Sequence, residues 1–133
     1  MKISYLVDTD WIIDHFNKVR KITQRLRELR PEGIALSIIS LAELYEGVYY
    51  SKDPQTSEII FKTFLRGFQV LGIDEEICKV FGKERGRLKQ QGKIVSDFNL
   101  LIASTCLYHN LTLLSNNRKH YEKVEGLNIL SVS

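Results

Sequence analysis

The run Ile3-Ser4-Tyr5-Leu6-Val7 stops at Asp8, and helical spacing takes over through Trp11, Ile12 and Phe16. A short, mostly apolar, β-branched run is the pattern of a strand buried on both faces of a parallel sheet. A carboxylate where such a strand turns into a helix lies at the carboxyl edge of the sheet, where open α/β folds bind ligands. Asp is also a favoured helix N-cap, so Asp8 or Asp10 taken alone is explained by capping. The case for Asp8 as a site residue rests on what else reaches the same edge.

The rest of the chain repeats the alternation. Val19, Ile22, Leu26 and Leu29 recur at helical steps up to Arg30, and Pro31-Glu32-Gly33 breaks the helix. Residues Ile34 to Ile39 read as a second buried strand, followed by Ser40 and a helix through about Tyr50. Asp53-Pro54 opens another helix, and Phe68 to Ile73 is a third strand, shorter and more exposed. Asp74 caps a long helix in which Gly82 and Gly86 predict a close helix contact or a bend, since each costs about 1 kcal/mol against Ala. Ser96-Asp97 starts the next helix, with Asn110 as its left-handed end. Leu111 to Leu114 is a fourth strand, Ser115 to Tyr121 a loop and short helix, and Leu127 to Val132 a fifth strand. This order predicts one α/β domain over residues 1–133, a three-layer α/β/α sandwich around a mainly parallel sheet of about five strands.

Composition narrows the function only a little. A chain of 133 residues with net charge +3 permits nucleic-acid contact without requiring it. No apolar run approaches a membrane span, and no leader pattern precedes the first strand, so a cytoplasmic protein is expected. Cys78 and Cys106 each fall in an apolar helical pattern and read as buried thiols. His15, His109 and His120 share no ligand spacing, and there is no phosphate loop or nucleophile elbow. The cations Lys79, Lys83, Arg85, Arg87, Lys89 and Lys93 form a solvated helix face that could track an RNA backbone.

Three further polar groups fall where elements begin on the Asp8 edge. They are Glu43, then Asp97 with Asn99, then Asn116 with Asn117. Each has a structural explanation. Ser40-x-x-Glu43 matches a capping box, Asp97 complements a helix N-terminus, and Asn116-Asn117 is turn chemistry. Together they are harder to dismiss, because carboxylates gathered across several elements repel and raise one another's pKa values. A divalent cation removes that repulsion. An oxygen-only donor set without His or Cys suits Mg²⁺ or Mn²⁺ rather than zinc.

These blocks carry a resemblance. Leu6-Val7-Asp8-Thr9-Asp10, Ser40-Leu41-Ala42-Glu43-Leu44-Tyr45-Glu46-Gly47, Leu100-Leu101-Ile102-Ala103-Ser104 and Leu111-Thr112-Leu113-Leu114-Ser115-Asn116-Asn117 are similar, in order and spacing, to the PIN-domain family. Within that family they resemble the VapC-type toxin ribonucleases of bacterial toxin–antitoxin pairs. The resemblance puts the catalytic and metal-holding carboxylates on Asp8 and Glu43, with Asn117 as an outer ligand and Thr9 and Ser115 in supporting places. The third acidic position falls on Asn99, with Asp97 two residues earlier as a displaced substitute. The implied activity is Mg²⁺- or Mn²⁺-dependent hydrolysis of RNA phosphodiesters, weakened by Asn99. The alternative is a catalytically silent PIN-like module that binds an antitoxin partner or RNA. A cognate antitoxin and a homodimer are the expected partners, with no membrane. Tyr45, Tyr49, Phe61 and Phe64 supply more aromatic bulk than one core face needs, and they resemble the family's partner groove. A receiver-type phosphorylation domain fits less well, because Gly72-Ile73-Asp74 is a poor third-strand site and no Lys follows the fifth strand.

Overall fold

A computed structural model describes residues 2–133 and sets five strands side by side. In chain order the elements are β1 (Tyr5–Val7), α1 (Thr9–Phe16), α2 (Arg20–Leu29), a 3-10 turn (Arg30–Glu32) and β2 (Ile34–Ser37). There follow α3 (Ile38–Tyr49), α4 (Pro54–Leu65), β3 (Gln69–Leu71), α5 (Glu75–Gln90) and α6 (Asp97–His109). The chain closes with β4 (Thr112–Leu114), α7 (Arg118–Tyr121) and β5 (Ile129–Leu130). The sheet order is β3-β2-β1-β4-β5 and every pairing is parallel.

The three layers follow from the two-residue period of a strand. Leu6, Ala35 and Leu113 point to one face, where they meet Leu88 of α5 and Leu100, Ala103 and Cys106 of α6. Val7, Leu36 and Leu114 point to the other, against Trp11 of α1, Ile22 and Leu26 of α2 and Phe61 of α4. Because β1, β2 and β4 are covered on both sides, consecutive residues in each are apolar: Leu6-Val7, Ala35-Leu36 and Leu113-Leu114. β3, at the edge, is mostly exposed, as its weaker pattern predicts.

Several expectations change in detail. The second strand stops at Ser37, not Ile39, and Ser37 itself caps α3 by accepting from the Ile39 N–H at 3.0 Å. Ser40 is therefore inside the helix, and the capping-box reading of Ser40 with Glu43 is wrong. The fifth strand shrinks to two residues. Gly82 and Gly86 make no close helix contact, since an added Cβ at either would meet nothing within 4 Å, and α5 runs unbroken past both. Cys78 is exposed and only Cys106 is buried. Asp53, Asp74 and Ser96 do cap their helices, and Asn110 is left-handed at φ 57°.

One buried acid was not foreseen. Glu84 on α5 accepts from Arg87 Nε at 2.8 Å and Nη2 at 2.6 Å, and from the Glu125 N–H at 2.9 Å. Arg87 Nη2 also donates to the Lys123 carbonyl at 2.8 Å. The pair clamps the turn that follows α7 onto α5.

Gly33 joins the first two strands. Its carbonyl accepts from both the Ser4 and Tyr5 N–H groups, at 2.9 and 3.1 Å, and its φ is +87°. A Cβ there would run into the Lys2 carbonyl oxygen. Gly33→Ala is therefore expected to destabilise the fold by at least about 1–3 kcal/mol, from backbone strain plus the clash. An unchanged midpoint in denaturant unfolding would contradict this account of the junction.

Candidate active site

The sequence climbs from β1 outward to β2 and β3, then returns to place β4 on the other flank of β1. The order therefore reverses between β1 and β4, and a crevice opens outside the carboxyl ends of those strands. Asp8 follows β1 and Ser115 follows β4, so the crevice is lined by these two residues.

Asp8 is 4% exposed and has three donors. The Thr9 N–H gives to its Oδ1 at 2.9 Å, the Ser115 hydroxyl to its Oδ2 at 2.8 Å, and the Tyr121 hydroxyl to Oδ1 at 3.1 Å. Thr9 links this acid to the next. Its hydroxyl donates to Glu43 Oε1 at 2.8 Å and lies 2.9 Å from the buried Ser40 Oγ. Glu43 is half-buried on α3 and reaches the same edge, held there by Thr9 instead of by a capping box. The other half of the junction is Asn99, half-buried in the first turn of α6, whose Oδ1 lies 3.2 Å from the Tyr121 hydroxyl.

Asp97 is placed differently. Its carboxylate is 80% exposed and pairs with Arg85 Nη2 at 2.7 Å, while Arg85 Nη1 braces the Val95 carbonyl at 2.9 Å. Asn117 starts α7 half-buried at the rim, with its N–H on Ser115 Oγ at 3.0 Å and no capping bond from its side chain. Asn116, beside it, is a clamp. Its Oδ1 accepts from Trp11 Nε1 at 3.0 Å and from the Val132 N–H at 2.9 Å, and its Nδ2 donates to the Val132 carbonyl at 2.8 Å.

Two participants were missed in the sequence. Tyr121 reads there as an ordinary aromatic of a short helix, and a hydroxyl aimed at a site leaves no mark on the pattern. Asp10 reads there as a capping residue. Its Oδ2 accepts from the Asn116 N–H at 3.0 Å, whereas its Oδ1 is buried without a partner among the described residues. An Asp two residues after the first acid, on the same helix turn, was the available signal.

Burial dominates the electrostatics. It pushes the Asp8 carboxyl above the usual carboxylate range, against the pull of Ser115, Thr9 and Tyr121. Asp10, desolvated and facing the charge of Asp8, is pushed up to about 7. Desolvation and the same carboxylate drive the Tyr121 phenol far above its ordinary value, so it remains a protonated donor.

Among the described residues no three His, Cys, Asp or Glu side chains stand together as a metal cluster. The donors present nevertheless suit a small hard cation. Asp8 and Glu43 offer carboxylates, Asn99 a carbonyl, and Asp10 an oxygen with no partner. A Mg²⁺ site with one or two carboxylates is the usual case.

A parallel α/β sandwich with an oxygen-lined acidic junction at its switch point defines a class of protein. The chain belongs to the PIN domain family, whose sequence profile matches residues 5–126. It is 38% identical over 126 residues to the ribonuclease VapC1 of Methanocaldococcus jannaschii, covering 93% of this chain and 85% of that protein. It is 31% identical to the ribonuclease VapC2 of Rickettsia felis, covering 92% of this chain and 93% of that one. Among solved structures, the VapBC2 complex of Rickettsia felis bound to a DNA fragment from its promoter superposes with a TM-score of 0.92 at 28% identity, covering 98% of this chain and all of that one.

The raised Asp10 gives a pH prediction. Asp10 loses its proton near 3.8 when unfolded but near 7 when folded. Its stabilising contribution is therefore full below the lower value and is lost as pH rises through the upper one. Asp8 shifts in the same direction. The melting temperature of the metal-free chain should fall between about pH 4 and pH 7, and Asp10→Asn should flatten the dependence. Thermal unfolding of both proteins across that range is the check.

Proposed function

We propose that this chain is a divalent-metal-dependent endoribonuclease, the toxin member of a toxin–antitoxin pair. The observation that carries the reading is the junction of β1 with β4, where Asp8, Glu43 and Asn99 are joined through Thr9 and Tyr121. Family membership and relatives named as ribonucleases support it. Asp8 and Glu43 would hold Mg²⁺ or Mn²⁺, with the Asn99 carbonyl in a weakened third place and Asn117 as an outer ligand. A bound cation of this kind supplies a water of lowered pKa and neutralises phosphate charge.

The chain's own residues do the rest. Ser115 and the Thr9 N–H fix both oxygens of Asp8, so this carboxylate is oriented before any ligand arrives. Thr9 fixes Glu43 in the same way. Lys119 is exposed at the start of α7, two residues after Asn117, and adds positive charge for a phosphate backbone.

The partner reading rests on a groove of about 430 Å³ between α1, α3 and α4, lined by Ile13, Phe16, Leu44, Val48, Ile60 and Phe61. Of the four aromatics singled out in the sequence, Phe61 is buried in the core and Tyr49 is 61% exposed. Ile59 and Ile60 are also exposed, extending an apolar surface suited to an antitoxin helix or a second copy. No described helix is long and apolar enough to cross a membrane. A second reading, a silent module that binds RNA or antitoxin, is favoured by one observation, the neutral Asn99.

Asn99→Asp separates the two. It is nearly isosteric and adds a full charge where Asn offers a dipole, so Mg²⁺-dependent RNA cleavage should rise by about tenfold or more. Asp97→Asn should leave cleavage intact, because Asp97 sits on Arg85. Glu43→Gln should lower Mg²⁺ affinity with little change in melting temperature. If the unchanged chain cuts as fast as Asn99→Asp and Asp97→Asn abolishes cutting, Asp97 is the third acid. If neither protein cuts RNA, the silent module stands.

A further inference from the structure

Tyr121 is fully buried, packed in the same core cluster as Leu6, Leu100 and Leu113. Phenylalanine would fill that space. The hydroxyl is the part that packing does not explain, since burying one is unfavourable unless it is hydrogen-bonded. Its two contacts among the described residues go to Asp8 Oδ1 and Asn99 Oδ1, which lie 113 and 22 residues away in sequence.

Those acceptors differ in how they are held. Asp8 is already fixed by the Thr9 N–H and Ser115. The Asn99 side chain has no other hydrogen bond among the described residues, because its bond to Ser96 comes from its backbone. The phenol itself is a fixed post. The Glu84–Arg87 pair grips the turn after α7 through the Glu125 N–H and the Lys123 carbonyl, and Arg118 pairs with Glu122 across it.

We propose that Tyr121 is a positioning residue whose hydroxyl holds the Asn99 carbonyl oxygen against Asp8, so that both oxygens face one cation. One donor serves two acceptors, and each acceptor keeps lone pairs free. Without the hydroxyl the Asn99 amide is free to turn its NH₂ toward the site, where a donor repels a cation. The inference rests on the metal-site reading of the junction.

The test is Mn²⁺ and Mg²⁺ affinity by calorimetry on the full chain, Tyr121→Phe, Asn99→Ala and their double variant. Tyr108→Phe, exposed on the far end of α6, serves as control. A second readout is the Asn99 side-chain amide resonance in the metal-free protein. Tyr121→Phe should unfold cooperatively, shift that resonance, and lose about tenfold to a hundredfold in metal affinity. Tyr108→Phe should match the parent. The double variant should lose no more than the weaker of the two singles, since the phenol acts through Asn99. Parental affinity in Tyr121→Phe, in a chain that binds metal and cuts RNA, overturns this inference alone, as does an additive double variant. If the parent binds neither metal, the site reading and this inference fall together.

Discussion

The hydrogen bond from Ser115 to Asp8 joins the carboxyl ends of two adjacent strands that are 107 residues apart in sequence. It stands beside a backbone bond from the Asp8 N–H to the Leu114 carbonyl at 2.9 Å. A carboxylate nearly removed from water is tolerated only when donors surround it. Asp8 obtains them from β1's own successor, from the end of β4 and from α7. Each of those elements is positioned by the sheet, so the fold and the buried charge specify one another. The reversal of strand order supplies the opening, and Asp8 occupies it.

The architecture was legible because a doubly covered strand has an unmistakable composition. Leu6-Val7, Leu36 and Leu113-Leu114 alternate between two buried faces, and no exposed strand would be apolar at every position. Boundaries were less legible. Ser37 and Ser40 are equally good caps on paper, and the choice between them depends on where β2 stops pairing with β3, at Ser37 opposite Leu71. The glycines of α5 looked like contact points because their cost in a helix is visible in sequence, whereas the open space beside them is not.

The site divides along the same line. Asp8 and Glu43 could be placed because strand ends and helix starts are readable. Their connection through Thr9 could not be read beyond its position beside the first acid, since it depends on a 31-residue and a 34-residue crossing to Ser40 and Glu43. Asn99 and Asp97 illustrate the limit most clearly. Counting back from Ile102 gives Asn99, with the acid Asp97 two residues earlier as a displaced substitute. Arg85, twelve residues before Asp97, turns that acid outward into a solvent-exposed ion pair, while the phenol of α7 receives Asn99. Neither partner is visible as a pattern.

The Asn116 clamp has a consequence for the shortest strand. Its side-chain amide receives the Val132 N–H and gives to the Val132 carbonyl, so both backbone groups of that residue are satisfied. A side chain thus stands in for one more rung of the parallel ladder, beyond the two residues of β5 that pair through backbone. The same oxygen also takes the Trp11 indole, so the register of the final strand is read against the first helix. One amide thereby keys the segment that follows β5 to a surface built from α1, more than a hundred residues earlier in the sequence.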